Sequence, residues 1–126
     1  MIITKITDYP ARLGDADGES VQELLGLQAG GATSHSLAMV TIQPGKSSVP
    51  HFHKKSDESY LILSGIASMH IDQAQFELQA GEAVLIEPME VHQISNHRDE
   101  ALTFLAVCVP AWHPDDSFSA DQSSSI

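Results

Sequence analysis

Two histidines stand two positions apart, His51 and His53, and a glutamate follows at Glu58. Alternate residues of a strand point to the same face, so both imidazoles can reach one point in space. The intervening Lys54 to Asp57, KKSD, is polar and suits a turn. Glu58 then opens a further strand and is expected beside the two histidines across the ladder. A fourth candidate, His92, lies in a separate stretch, Gly81 to Asn96. A distant strand delivers His92 to the same point only if the sheet closes or folds over on itself. That geometric demand restricts the chain to a barrel or a folded-over sheet.

The remaining pattern agrees, with short β-type runs broken by Gly and Pro. Ile2 to Ile6 reads as an edge strand and Pro10 to Gly18 as a loop. Val21 to Leu27 is too short to separate strand from helical turn. Gln28 to Thr33 is a turn, and Ser36 to Ile42 is a strand closed by Pro44-Gly45. Ser59 to Leu63 and Ile66 to Ile71 flank Ser64-Gly65, which is a hairpin signal. Phe76 to Leu78, Ala83 to Ile86, His92 to Ser95 and Leu102 to Val109 complete the strands, the last two joined by NHRDE. No long amphipathic helix and no internal repeat is present, so the expected class is all-β, a sandwich or barrel. Leu102 to Val109 is apolar on both alternating faces. One face suits a core, and a partner subunit is a candidate for the other. The expected organisation is one domain over 1–114, followed by a polar, mobile tail over 115–126.

The formal net charge is -11 with only six Lys and Arg. Nucleic acid and anionic membranes both need a basic patch, so neither is expected as a partner. The longest apolar run, Ala101 to Val109, is far too short for a membrane helix. The first fifteen residues lack the apolar core and small-residue site of a signal peptide. The single Cys108 excludes an intrachain disulfide and suits a reducing compartment. These features together predict a cytoplasmic protein. Cys108 sits in an apolar run and is expected to be a buried small hydrophobe.

Three imidazoles and one carboxylate suit a divalent first-row ion: iron, manganese, nickel, copper or zinc. Four protein ligands in an octahedral site leave two positions for water or a chelating oxygen substrate. A structural zinc would instead be closed and tetrahedral, usually with Cys.

On these residues the chain resembles the cupin superfamily. The first cupin motif, G(X)5HXH(X)3-4E(X)6G, is matched at every fixed position by Gly45, His51, His53, Glu58 and Gly65. The second, G(X)5PXG(X)2H(X)3N, is matched by Gly81, His92 and Asn96. Glu87 and Met89 stand where that family has Pro and Gly, and Pro88 is shifted by one. Motif 1 thus spans 45–65 and motif 2 spans 81–96. The resemblance implies a single-domain jelly-roll β-barrel with one metal ion inside, held by His51, His53, Glu58 and His92. It also implies a homodimer.

Asn96 shares parity with His92 and is expected to hydrogen-bond near the site or to serve the following turn. Tyr60 shares parity with Glu58 and is a candidate pocket phenol. Glu87, Glu90 and Gln93 lie near His92, and Glu87 and Gln93 join Tyr60 as candidate catalytic groups. His35, His70, His97 and His113 lack a ligand-like partner spacing and are expected to be structural or exposed. The chemistry open to such a site is a dioxygenase reaction on a small oxygen-bearing molecule, or Lewis-acid isomerisation or epimerisation. A barrel that binds a sugar or carboxylate without turnover is the alternative. Lys46, Lys54, Lys55 and Arg98 fall in turns, which argues against a sugar-phosphate substrate.

Overall fold

The computed structural model describes residues 1–120. Eleven strands follow one another: β1 (Arg12–Leu13), β2 (Glu19–Leu25), β3 (Ser36–Ile42), β4 (His51–Phe52), β5 (Asp57–Ser64), β6 (Ile66–Ile71), β7 (Ala74–Gln79), β8 (Ala83–Ile86), β9 (His92–Ser95), β10 (Leu102–Val109) and β11 (Phe118–Ser119). They form a six-stranded antiparallel sheet, β1-β2-β3-β10-β5-β8, and a five-stranded one, β11-β4-β9-β6-β7. No α-helix occurs among the described residues, and none of their helices is long and apolar enough to cross a membrane.

The alternation in the sequence becomes the two faces of each sheet. Along β10, Leu102, Phe104, Ala106 and Cys108 are buried, while Thr103, Leu105 and Val107 are only half-buried on the outside. Phe104 pairs with Val40 of β3 and with Ile62 of β5. These side chains meet Met69, Ile86 and Ile94 between the sheets as one core cluster. Each such buried side chain contributes roughly 1.5–3 kcal/mol. The outer face of the six-stranded sheet leaves Leu61, Leu63 and Leu85 exposed.

Several local readings are corrected by the pairing. Ser64-Gly65 does not close a hairpin. β5 pairs with β10 and β8, whereas β6 pairs with β7 and β9. The turn carries the chain from one sheet to the other, and a glycine corner and a hairpin look alike in local sequence. Gly65 has φ +87°, and an added Cβ would lie 2.8 Å from the Ala101 carbonyl oxygen. The true hairpin is β6–β7, turning at Asp72 and Gln73, where Asp72 has φ 49°. Residues 2–6 are not a strand. Ile6–Asp8 is a short 3-10 turn, and Ile2, Ile3 and Ile6 are exposed. Of Val21 to Leu27, residues Val21 to Leu25 resolve to strand within β2, because the ladder with β3 supplies the hydrogen bonds a short segment needs, while Gly26 and Leu27 leave the strand for the following turn.

The chain after residue 114 also departs from expectation. Pro114–Asp116 forms a 3-10 turn, and Phe118 and Ser119 pair with Phe52 and His51. Phe118 stacks on Phe52 at 5.4 Å between ring centroids, with the Lys54 ammonium 4.4 Å from its own ring centroid. A polar composition hid one aromatic anchor and one buried aspartate. The rest of the expected tail, 121–126, lies outside the described residues.

Candidate metal centre

His51 of β4 lies directly opposite His92 of β9 in the ladder. Glu58 comes from the other sheet, on β5 opposite Cys108 and Ile86. The expected arrangement is therefore inverted. His92 is the ladder neighbour of His51, and Glu58 faces both across the barrel interior. The reason is the sheet change between residues 53 and 57, which a polar KKSD turn permits and does not announce. His51, His53, Glu58 and His92 each offer one ligand atom, and these atoms lie within 4.8 Å of one another.

Each imidazole is oriented by a backbone carbonyl. Nδ1–H of His51 donates to Val49 O at 2.8 Å, that of His53 to Asp116 O at 2.8 Å, and that of His92 to Glu90 O at 3.0 Å. A carbonyl only accepts, so the proton of each neutral ring sits on Nδ1 and its Nε2 carries a lone pair. The Nε2 atoms of His53 and His92 face Glu58 Oε1 at 3.2 and 3.1 Å. Neutral rings would set acceptor against acceptor there. A cation, or protons on the rings, removes the conflict. Two metal–ligand bonds of about 2.1 Å at a right angle place their donor atoms about 3 Å apart. The donor set, tautomers and spacing thus fit a divalent ion.

The electrostatics point the same way. Burial alone would raise the Glu58 pKa, but with protons on the Nε2 atoms of His53 and His92 the hydrogen bonds those rings donate hold it well below the usual carboxylate range. Burial opposes protonation of His53, yet the hydrogen bond and charge of Glu58 more than offset it and raise its pKa. His51 is lowered, first by burial and then by the charge of His92. Glu58 Oε2 accepts from the Cys108 thiol at 3.2 Å.

Asp116 holds the loop between these ligands. Its carboxylate accepts from the backbone N–H of Lys54 at 2.9 Å, Lys55 at 3.0 Å and Ser56 at 3.1 Å. Burial works against its ionisation, but those N–H groups outweigh it and lower its pKa. Nothing in the local sequence of HPDDSF marks Asp116 for this role, since its partners lie about sixty positions earlier.

A cavity of about 370 Å³ opens onto His51, His53 and Glu58. Tyr60 lines it, buried 4.6 Å from Phe104 and 6.1 Å from His92 by ring centroids. Burial, then the charge of Glu58, pushes the Tyr60 phenol pKa up, so it stays neutral. Three other candidates do not reach the site. Glu87 is exposed, in a turn closed by the Glu90 carboxylate accepting from its N–H at 2.7 Å. Gln93 faces the opposite side of β9 from His92, as adjacent strand residues must, and donates to Ser48 O at 2.9 Å. Asn96 faces inward but lies about 13 Å along the chain from His92. Its amide is used up on Ile42 O, Glu100 O and the Arg98 N–H, so it organises the following turn. Met89, at the position where the resemblance expects Gly, has φ 74° and donates its N–H to His53 O at 2.7 Å. The turn shape survives the loss of glycine because that hydrogen bond and the loop around it fix the left-handed conformation.

The cavity has polar wall residues that sequence reading missed. Glu19 and Glu23 of β2 line it, as does Arg12 of β1. Their signal was the alternation Glu19, Val21, Glu23, legible only once β2 is known to be a strand.

Comparison with known proteins gives a family and several relatives. The family described as Cupin domain matches residues 38–108. An uncharacterized protein of Methanocaldococcus jannaschii is 31% identical over 101 residues, covering 80% of this chain and 81% of the relative. The tetracenomycin polyketide synthase protein TcmJ of Streptomyces glaucescens is 29% identical over 79 residues, covering 63% of this chain and 53% of that protein. Among solved structures, a sugar phosphate isomerase of the cupin superfamily from Silicibacter pomeroyi superposes with a TM-score of 0.73. It is 25% identical and covers 84% of this chain and 74% of that one.

Proposed function

The chain belongs to the cupin family, and from that premise we propose that it binds one divalent metal ion through His51, His53, Glu58 and His92 and oxidises a small, neutral, oxygen-bearing organic molecule with dioxygen. The observation that carries the reading is the four-donor group, three of whose members (His51, His53 and Glu58) line a cavity walled in part by Val40, Phe104 and Ala106. When bound, the ion supplies Lewis acidity and free positions for the substrate's oxygen atoms.

The chain's own residues do the rest. The backbone carbonyls of Val49, Glu90 and Asp116 fix the three rings with Nε2 inward, which removes reorganisation from the binding step. Glu58 brings one negative charge, leaving a net positive centre that favours an enolate or diolate oxygen. Val40, Phe104 and Ala106 shed water from the cavity and strengthen those electrostatic interactions. Tyr60 stays protonated and can donate a hydrogen bond to a substrate oxygen.

An anionic substrate fits poorly. Among the described residues, the only Lys or Arg lining the cavity is Arg12, on the exposed strand β1, whereas Asp15, Glu19 and Glu23 are carboxylates. A phosphate or dicarboxylate usually needs a cationic clamp. Lewis-acid isomerisation is the second reading, favoured by the neutral Tyr60 phenol beside the site and by the likeness to the sugar phosphate isomerase. A homodimer is part of the proposal, supported by the exposed Leu61, Leu63 and Leu85. A monomeric mass in solution would remove that part.

Elemental analysis of protein purified without a chelating tag is expected to give near one metal per chain, and none in the His51→Ala, His53→Ala double variant. Unchanged metal in that variant sinks the site. Oxygen uptake by the loaded protein with enols, diketones or catechols supports the oxygenase. Rearranged product without uptake assigns the isomerase.

A further inference from the structure

The cavity runs from the four-donor group along the six-stranded sheet to β2, which is separated from the strand of Glu58 by β3 and β10. The inward positions of β2 are Glu19, Val21 and Glu23. Val21 packs against the core, as an inward residue should. Two carboxylates on the same wall call for a reason. Glu23 has one, because its carboxylate accepts the Gln28 N–H at 2.8 Å.

Glu19 is placed differently. Its side chain folds back over Gly14, where an added Cβ would meet Glu19 Oε1 at 2.2 Å and Cγ at 2.6 Å. Gly14 and Glu19 close the β1–β2 turn, with the Gly14 N–H donating to Glu19 O at 2.7 Å. Gly14 is not among the glycines with positive φ. Its missing side chain therefore serves the carboxylate lying on it and not a backbone conformation. Burial is the main influence on that carboxyl and raises its pKa; the Ala16 N–H offsets this in part, and the charges of Asp15 and Glu58 add to it. The charge of Glu19 is also felt by Tyr60, after burial and the charge of Glu58. Glu19 is thus a half-buried carboxyl seated in the wall of the same cavity as Glu58 and Tyr60, with no cationic partner among the described residues.

We propose that Glu19 is the specificity-determining residue of this cavity: it hydrogen-bonds a hydroxyl at the end of a substrate remote from the metal group and rejects substrates that carry a carboxylate or phosphate there. The class of substrate is a neutral molecule with a chelating oxygen pair at one end and an alcohol or phenol at the other. Either protonation state of Glu19 serves a hydroxyl, as acceptor or as donor. A second anion beside it meets like charge in a poorly hydrated space. The inference rests on the metal-centred reading above.

Three probes share one chelating end: 4-(hydroxymethyl)catechol, 4-methylcatechol and 3,4-dihydroxybenzoate. Their affinities for the metal-loaded full chain are measured by titration calorimetry, with metal content determined on the same samples. Wild type is expected to bind the hydroxymethyl probe about fivefold tighter than the methyl probe, as one net hydrogen bond gives, and to bind the benzoate about tenfold more weakly. Glu19→Gln keeps the shape and loses the charge, so rejection of the benzoate falls to about twofold or less. Gly14→Ala keeps the charge but displaces the carboxylate, so the hydroxymethyl preference disappears. Metal stays near one per chain in both. Unchanged preferences in both variants, with metal and probes bound, overturn the role of Glu19 and leave the metal site standing. Absence of metal and of all probe binding in wild type overturns the metal-centred reading and this inference with it. Should Gly14→Ala not fold, the near-isosteric Glu19→Gln decides alone.

Discussion

Asp116→Ala tests the loop that spaces His53 from Glu58. The aspartate carboxylate accepts three backbone N–H groups, those of Lys54, Lys55 and Ser56. The Ser56 contact is buried, so its N–H would be left unsatisfied at a cost of about 2 kcal/mol. The Lys54 and Lys55 contacts are only part-buried and can rehydrate, each costing about 0.5 kcal/mol. The expected loss is about 3 kcal/mol, read as a lower urea midpoint at unchanged slope in chelator-treated protein. The same substitution frees the segment whose carbonyl orients His53, so metal affinity measured by chelator competition should fall about 10–100-fold. The acid limb adds a signed test. The folded pKa of Asp116 is depressed, so its contribution to stability is present above the ordinary aspartate value of about 3.9 and is lost as pH falls through the lower folded value. Asp116→Asn should therefore flatten the stability curve below about pH 4 relative to wild type. A loss below about 0.5 kcal/mol with unaltered metal affinity would refute the clamp.

Two further expectations follow from packing. Gly65→Ala places a Cβ 2.8 Å from the Ala101 carbonyl at φ +87°, beside the fully buried Leu102; it should cost about 2–3 kcal/mol in denaturation, and a loss under about 0.5 kcal/mol would mean that the corner yields freely. The Cys108 thiol is 3% exposed, and burial first, then Glu58, pushes its pKa up. A thiol reagent should label it only as fast as the protein opens, and rapid labelling under native conditions would contradict its burial.

The four donors were legible because metal chemistry tolerates few side chains and because strand parity is a local property. His51 and His53 keep their shared direction even though β4 covers only the first of them. The strands at Ser36–Ile42, Ala83–Ile86, His92–Ser95 and Leu102–Val109 were legible for the same reason. Which strands pair was not, because pairing is decided by contacts distant in sequence. Ser64-Gly65 reads as a hairpin and acts as a corner, and Glu58 crosses to the facing sheet. Asn96 shows the limit of parity, which fixes the face a residue points to and not how far along the strand it sits. Asp116 and Glu19 were invisible for one reason: each acquires meaning from a partner that only the folded chain brings near.

The contact between His53 and Asp116 spans 63 positions. At about 5–20 residues per second, the ribosome makes His53 on the order of 3 to 13 s before Asp116. In that interval a nascent chain can present His51, His53 and Glu58 with imidazoles free to rotate, but not the finished group. Metal that reaches the chain early meets a floppy chelator with no fixed geometry to select among ions. Selection by geometry begins only when the 3-10 turn at Pro114–Asp116 docks, so the order of synthesis favours loading after that turn has been made.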